Sequence, residues 1–222
     1  MGLLVKDAVR DFLISGHMPT NINVTKLVML PKGNHPTNEY DFRPISCGNV
    51  IYKCISKLLC RLKELLPSLV HPSQYAFVKG RKILYNVLMC YDLTQGYLKK
   101  KVSPRCMLKV NLQKAFDSIH WEFLANLLKA LKFPTVFTKW ILTCIISVHF
   151  TIHINGQDQG TFKWGRGLKQ GDPLSPLLFV LSMEYLSRAL QQMSNNSRFH
   201  FHPSCKALKL TDVGLSKSNS HT

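Results

Sequence analysis

Acid is scarce in this chain. Its 222 residues carry 12 Asp and Glu against 29 Lys and Arg, a formal net charge of +17. An excess of this size opposes compaction and attracts polyanions, which puts nucleic acid first among the partner classes to consider. Long apolar runs are missing as well. Nothing approaches the roughly 20 residues needed to cross a bilayer, since the stretch around 140–150 is broken by polar residues and 174–190 carries Glu184 and Arg188. Met1–Asp11 includes Lys6, Asp7, Arg10 and Asp11, so no signal-peptide core is expected there. The seven cysteines are odd in number and form no CxxC pair, which suits small thiols in a reducing compartment better than a disulfide frame. His200, His202 and Cys205 lack a second ligand pair at zinc spacing. There is no GxSxG, HExxH or P-loop. An intracellular protein, nuclear or cytoplasmic and not secreted, is the expectation.

What is present is globular. Hydrophobic residues make up 45% and aromatics 10%, enough for one or two domains with a real core. Helical periodicity runs over Leu3–Ile14. Val24–Leu30 reads as a strand broken by Pro31-Lys32-Gly33-Asn34, with a polar loop to Asp41. A helix is expected after Ser46–Asn49, with an apolar face of Val50, Ile51, Cys54, Ile55, Leu58, Leu59, Leu62, Leu65 and Leu66, ending at Pro67. Further helices are expected at Ile83–Leu98, His120–Leu131, Val136–Ser147 and Leu174–Gln192, and a strand at Arg105–Leu112. Val148–Ile154, Asn155-Gly156 and a return through Thr161–Trp164 form a hairpin signal. Helices and short strands mix without regular alternation, so the expected class is α+β.

Several segments stand out together. They are Leu30-Pro31-Lys32 with Phe42-Arg43-Pro44-Ile45-Ser46, and Gln74–Gly80-Arg81. To these are added Leu108–Ile119, containing Lys114-Ala-Phe-Asp117, and Gly167-Leu-Lys-Gln170-Gly171-Asp172-Pro173-Leu-Ser-Pro176. In this order and spacing they resemble the reverse transcriptase domain of non-LTR (LINE-type) retrotransposons, plant elements most of all, over roughly residues 3–211. Group II intron maturases share the plan but fit the Lys109–Trp121 stretch less well.

The resemblance implies a partial right-hand polymerase within 1–211, with fingers over about 20–100, an incomplete palm over about 101–211 and no thumb. Residues 212–222, rich in Ser, Asn and His, are expected to be a disordered tail. The implied activity is RNA-directed DNA polymerisation, template-directed nucleotidyl transfer with two Mg²⁺ ions on an RNA/DNA template-primer and a dNTP. By resemblance, Lys32 and Arg43 contact the triphosphate, tasks that suit an ammonium and a planar guanidinium. Phe116 falls where the family shields against ribonucleotides, although a core aromatic fits that position equally. Gln170 and Gly171 line the nucleotide pocket, and Gly80 and Arg81 lie in a segment with a template-side role.

Two departures stand out against the family pattern. Asn111 occupies the place of the first metal-binding Asp, offering a carbonyl oxygen without the charge that holds Mg²⁺. Asp117 is present but is not the family's principal ligand. No Asp-Asp pair occurs anywhere, and Asp212 stands alone near the expected turn. The expectation is a truncated, catalytically inactive remnant. An alternative is a non-catalytic basic nucleic-acid-binding module, for which Lys32, Arg43, Lys79, Arg81, Lys82 and Lys99–Lys101 supply charge. A third possibility is a chain with an unpaired strand edge that does not fold stably.

Overall fold

Residues 2–95 and 110–194 are described by a computed structural model. The element order is α1 (Gly2–Ser15), β1 (Val24–Pro31), β2 (Phe42–Gly48), α2 (Val50–Leu59), α3 (Leu66–Leu69), α4 (Leu84–Thr94), α5 (Trp121–Ala130), α6 (Thr135–Ile146), β3 (His149–Ile154), β4 (Gln157–Lys163) and α7 (Ser175–Ser194). Short 3₁₀ turns precede β1 and β2 and extend α2. The mixture of helices with one small sheet agrees with the α+β expectation.

Two compact units make up the chain, one from residues 1–62 and 114–179, the other from 63–113 and 180–222. The first holds the four-stranded sheet, ordered β2-β1-β3-β4. β1 pairs antiparallel with β2 and parallel with β3, and β3 pairs antiparallel with β4. Leu27, Val148 and Phe150 form its buried centre, with Trp164 packed against it and set edge-on to Phe150 at 4.7 Å. Ile154 pairs with Gln157 across Asn155 and Gly156, whose φ values of 51° and 80° are those of the primed two-residue turn that matches strand twist. The return strand starts at Gln157 rather than Thr161, because the tight turn puts the next residue directly into register.

Sequence patterning misses β2. Phe42–Gly48 contains a proline, which argues against a central strand, but β2 lies at the sheet edge, where a missing N–H costs little. The helix that follows also turns a different face inward. Val50, Leu58 and Leu65, all expected in the core, are exposed, and the buried set is Tyr52, Ile55, Ser56, Leu59, Leu62 and Leu66. Asn49 caps α2, its side chain accepting from Ile51 N at 2.9 Å.

At the end of α5, Phe133 N donates to Leu128 O and Lys132 N to Lys129 O. This is the paired bonding of a Schellman cap, with Lys132 at φ 59° where glycine is usual. In the second unit, Glu184 on α7 is buried and accepts from His71 N and from Arg188 Nε, each at 2.8 Å. Val110–Leu112, the described end of the expected strand at 105–112, is not in a strand. The rest of that strand, Lys99–Lys101, His200, His202, Cys205, Asp212 and the tail at 212–222 lie outside the described residues.

Candidate functional site

Three of the segments singled out in the sequence are joined by backbone hydrogen bonds within the first unit. Residues 114–118 form a turn in which Asp117 N and Ser118 N both donate to Lys114 O. That turn lies against the loop at 167–172, where Gly167 N donates to Ile119 O at 2.7 Å and Leu168 N to Phe116 O at 2.9 Å. The Trp121 indole donates to Gly167 O at 2.8 Å. The loop then meets β2, Ser46 N donating to Gln170 O at 3.3 Å. The contact is close: a Cβ on Gly167, whose φ is +96°, would stand 3.0 Å from Asp117 Cα.

Arg43 is exposed on β2 opposite Leu30. Lys32 is exposed just past β1. Its backbone N–H donates to Asp41 O at 2.7 Å and its ammonium to Tyr40 O. Asp41 is held below the usual carboxylate range by the backbone N–H groups of Thr37 and Asn38 that it accepts from. Phe116 is half-buried and stacks on the buried Phe179 at 5.0 Å, which gives it a packing role. Gln170 and Gly171 are exposed between buried neighbours on either side, Gly171 at φ +95°. Asn111 is exposed just before the 114–118 turn. Burial raises the Asp117 carboxyl, with Lys114 opposing.

Gly80 and Arg81 lie in the second unit. Gly80 makes a turn at φ +81°. The Arg81 guanidinium donates to four backbone carbonyls, His71 and Gln74 at 2.7 Å, Pro67 at 3.1 Å and Val70 at 3.4 Å. It ties α3 to the segment that follows, so four of its five N–H groups are engaged by the fold.

Sequence reasoning missed the polar cluster beneath Gln170 and Gly171. Lys169 and Asp172, on either side of that pair, are 5% and 8% exposed. The Asp172 carboxylate accepts from the Tyr52 and Ser56 hydroxyls and from Leu174 N. The Lys169 ammonium donates to Asn23 Oδ1 at 2.6 Å and lies 3.5 Å from the centre of the Tyr52 ring. Asn23 completes the set, its amide donating to Cys144 O at 3.0 Å and Ser147 Oγ at 2.7 Å. Burial pushes Lys169 down to about 8, against the pull of Asp172. Burial first, then Asp172, raises the Tyr52 phenol and the Cys144 thiol, so both stay protonated. Two anchored residues thus hold the exposed pair between them.

Residues 30–202 match the family described as reverse transcriptase (RNA-dependent DNA polymerase). The chain belongs to this family. It is similar to the transposon TX1 uncharacterized 149 kDa protein of Xenopus laevis, 31% identical over 76% of the chain and 13% of that protein. It is also similar to the retrovirus-related Pol polyprotein from type-2 retrotransposable element R2DM of Drosophila melanogaster, 29% identical over 79% of the chain and 16% of the relative. A Pol polyprotein from type-1 retrotransposable element R2 of Popillia japonica is 26% identical over 85% of the chain and 26% of its own length. The chain therefore corresponds to the reverse transcriptase domain of non-LTR retrotransposons and spans between 13% and 26% of the length of these relatives.

Holding divalent metal for nucleotidyl transfer calls for clustered oxygen ligands, carboxylates above all. Among the described residues no group of three or more His, Cys, Asp or Glu side chains is placed to hold an ion. The described donor set does not fit a two-metal centre. No described helix is long and apolar enough to cross a membrane.

Proposed function

We propose that this chain is the nucleotide- and template-handling part of an RNA-directed DNA polymerase from a non-LTR retroelement, and that the chain as it stands binds its substrates without polymerising them. The joining of the 43–46, 114–119 and 167–172 segments by backbone bonds carries the reading, because it gathers residues far apart in sequence around one turn. On this reading Lys32 and Arg43 are the cations for a dNTP triphosphate. Gln170 and Gly171 border the nucleotide, and Phe116, braced by Phe179, limits room at the sugar. The RNA/DNA template-primer is held by the basic surface.

The family expectation of two Mg²⁺ ions bears on the second half of the proposal. Stabilising the charge of a transferring phosphoryl group is the main catalytic task in this chemistry. Asn111 removes one charge from that task, and the sequence supplies no Asp-Asp pair to restore it. The first prediction is that the purified chain, given an RNA template, a DNA primer, dNTPs and either Mg²⁺ or Mn²⁺, extends the primer no faster than a protein-free control. Extension above that level would refute the loss of activity and leave the family assignment standing.

The reading of a non-catalytic nucleic-acid-binding module is favoured by the charge of +17. It differs in one outcome: binding of a template-primer that is insensitive to added dNTP supports it over a substrate-holding polymerase fold.

A further inference from the structure

A cleft of about 670 Å³ lies between α5 and α6 in the first unit, within the size range of small-ligand sites. None of the residues assigned above to nucleotide handling lines it. Its wall is apolar, including Phe133, Leu142 and Ile146, and its rim carries Lys129, Lys139 and Lys163 with no Asp or Glu among the lining residues. Lys139 reaches across to Ser15 O at 3.1 Å. Lys129 and Lys163 are exposed and have no ion pair among the described residues. The Schellman cap fixes the Phe133 backbone, and its ring stacks on Phe137 at 5.8 Å, so the ring has less side-chain freedom to lose.

We propose that this cleft binds single-stranded nucleic acid, its lysines taking backbone phosphates and Phe133 taking the face of a base. The chemistry is that of cations beside one aromatic face in an apolar wall, which tolerates any sequence because every base has a π face. The occupant is set by charge complementarity: a cleft with cations and no acid repels a basic partner and gains from counterion release on a polyanion. The site goes beyond the nucleotide and template contacts proposed above, giving the domain a second hold on a strand.

Anisotropy of a fluorescein-labelled 20-nucleotide oligo(dT) or oligo(U), measured over a salt series, tests the assignment. The double variant Lys129→Ala/Lys163→Ala is expected to bind about tenfold more weakly near 0.1 M salt, with the slope of log K against log salt flatter by about 1.4. Lys53→Ala/Lys57→Ala removes the same charge from exposed positions of α2 outside the cleft and is expected to leave that slope within experimental error. Phe133→Leu keeps an apolar side chain in place and is expected to weaken binding about fivefold or more without changing the slope. Thermal melts of each variant show that the fold is kept. Equal losses from the two lysine pairs, or wild-type affinity in the cleft variants, would overturn the proposal. So would displacement of the oligonucleotide by ATP at equal phosphate concentration, which would assign the cleft to a mononucleotide.

Discussion

At Asp172 a carboxylate sits in the core because three donors reach it, two hydroxyls and a backbone N–H. An ionised group in such a place is costly unless its oxygens are filled. Tyr52→Phe removes one donor while keeping the ring under the Lys169 ammonium. The expected loss is about 1.5–3 kcal/mol in urea unfolding, the range for a hydrogen bond to a buried charge; a loss indistinguishable from zero would show that Asp172 is satisfied without Tyr52. Lys169 gives a pH signature. Its folded value of about 8 lies below the ordinary lysine value of 10.5. Between the two, the unfolded chain binds a proton that the folded chain does not, so stability gains from this residue as pH rises from about 8 to 10.5. The stability of the wild type relative to Lys169→Met is expected to climb there by up to about 1.4 kcal/mol per pH unit and to stay flat below pH 8. None of this was legible in the sequence. Lys169 and Asp172 stand three apart in a motif, but Asn23, Tyr52 and Ser56 come from distant parts of the chain, and no local pattern announces a partner that remote.

The elements were more legible where their signals are local. The Asn155-Gly156 turn, the run of α6 and the long α7 need only turn chemistry and periodicity, and their bounds fall within one to a few residues of expectation. β2 and the inward face of α2 depend on tertiary context. Arg43-Pro44 becomes an edge strand because β1 offers a partner, and α2 rotates Val50 and Leu58 outward so that Tyr52 and Ser56 meet Asp172. Of the candidate site, the motif residues were legible as a set, whereas their joining by the 114–118 turn was not. Gly167 tests that joint. Gly160→Ala, at φ +53° with open space around it, is expected to cost about 1 kcal/mol, the ordinary left-handed penalty. Gly167→Ala adds a methyl group 3.0 Å from Asp117 Cα and must push the two loops apart. It is expected to cost about 2–3 kcal/mol by chemical denaturation and to weaken nucleotide binding, whereas Gly160→Ala leaves binding unchanged. Equal costs for the two would show that the loops are free to separate.

At the scale of the whole molecule, the charge that draws nucleic acid also works against the fold. The ion pairs Lys26–Asp158 and Lys79–Glu64 join exposed side chains, and pairs of that kind contribute about 0–1 kcal/mol each. Screening them costs little. Screening a net +17 relieves repulsion spread over the surface, because the Debye length falls from about 30 Å at 0.01 M to about 8 Å at 0.15 M salt. Thermal melts are therefore expected to shift upward by several degrees between 20 and 200 mM NaCl, the reverse of a protein held together by surface ion pairs. A polyanion supplies the same relief more locally, so a saturating oligonucleotide should raise Tm most at low salt and progressively less as salt increases. The two effects share one cause and must trade against each other. A melting temperature that falls with salt, or an oligonucleotide effect that grows with it, would mean that specific attractions rather than the excess of lysine and arginine govern both the stability of the domain and its hold on nucleic acid.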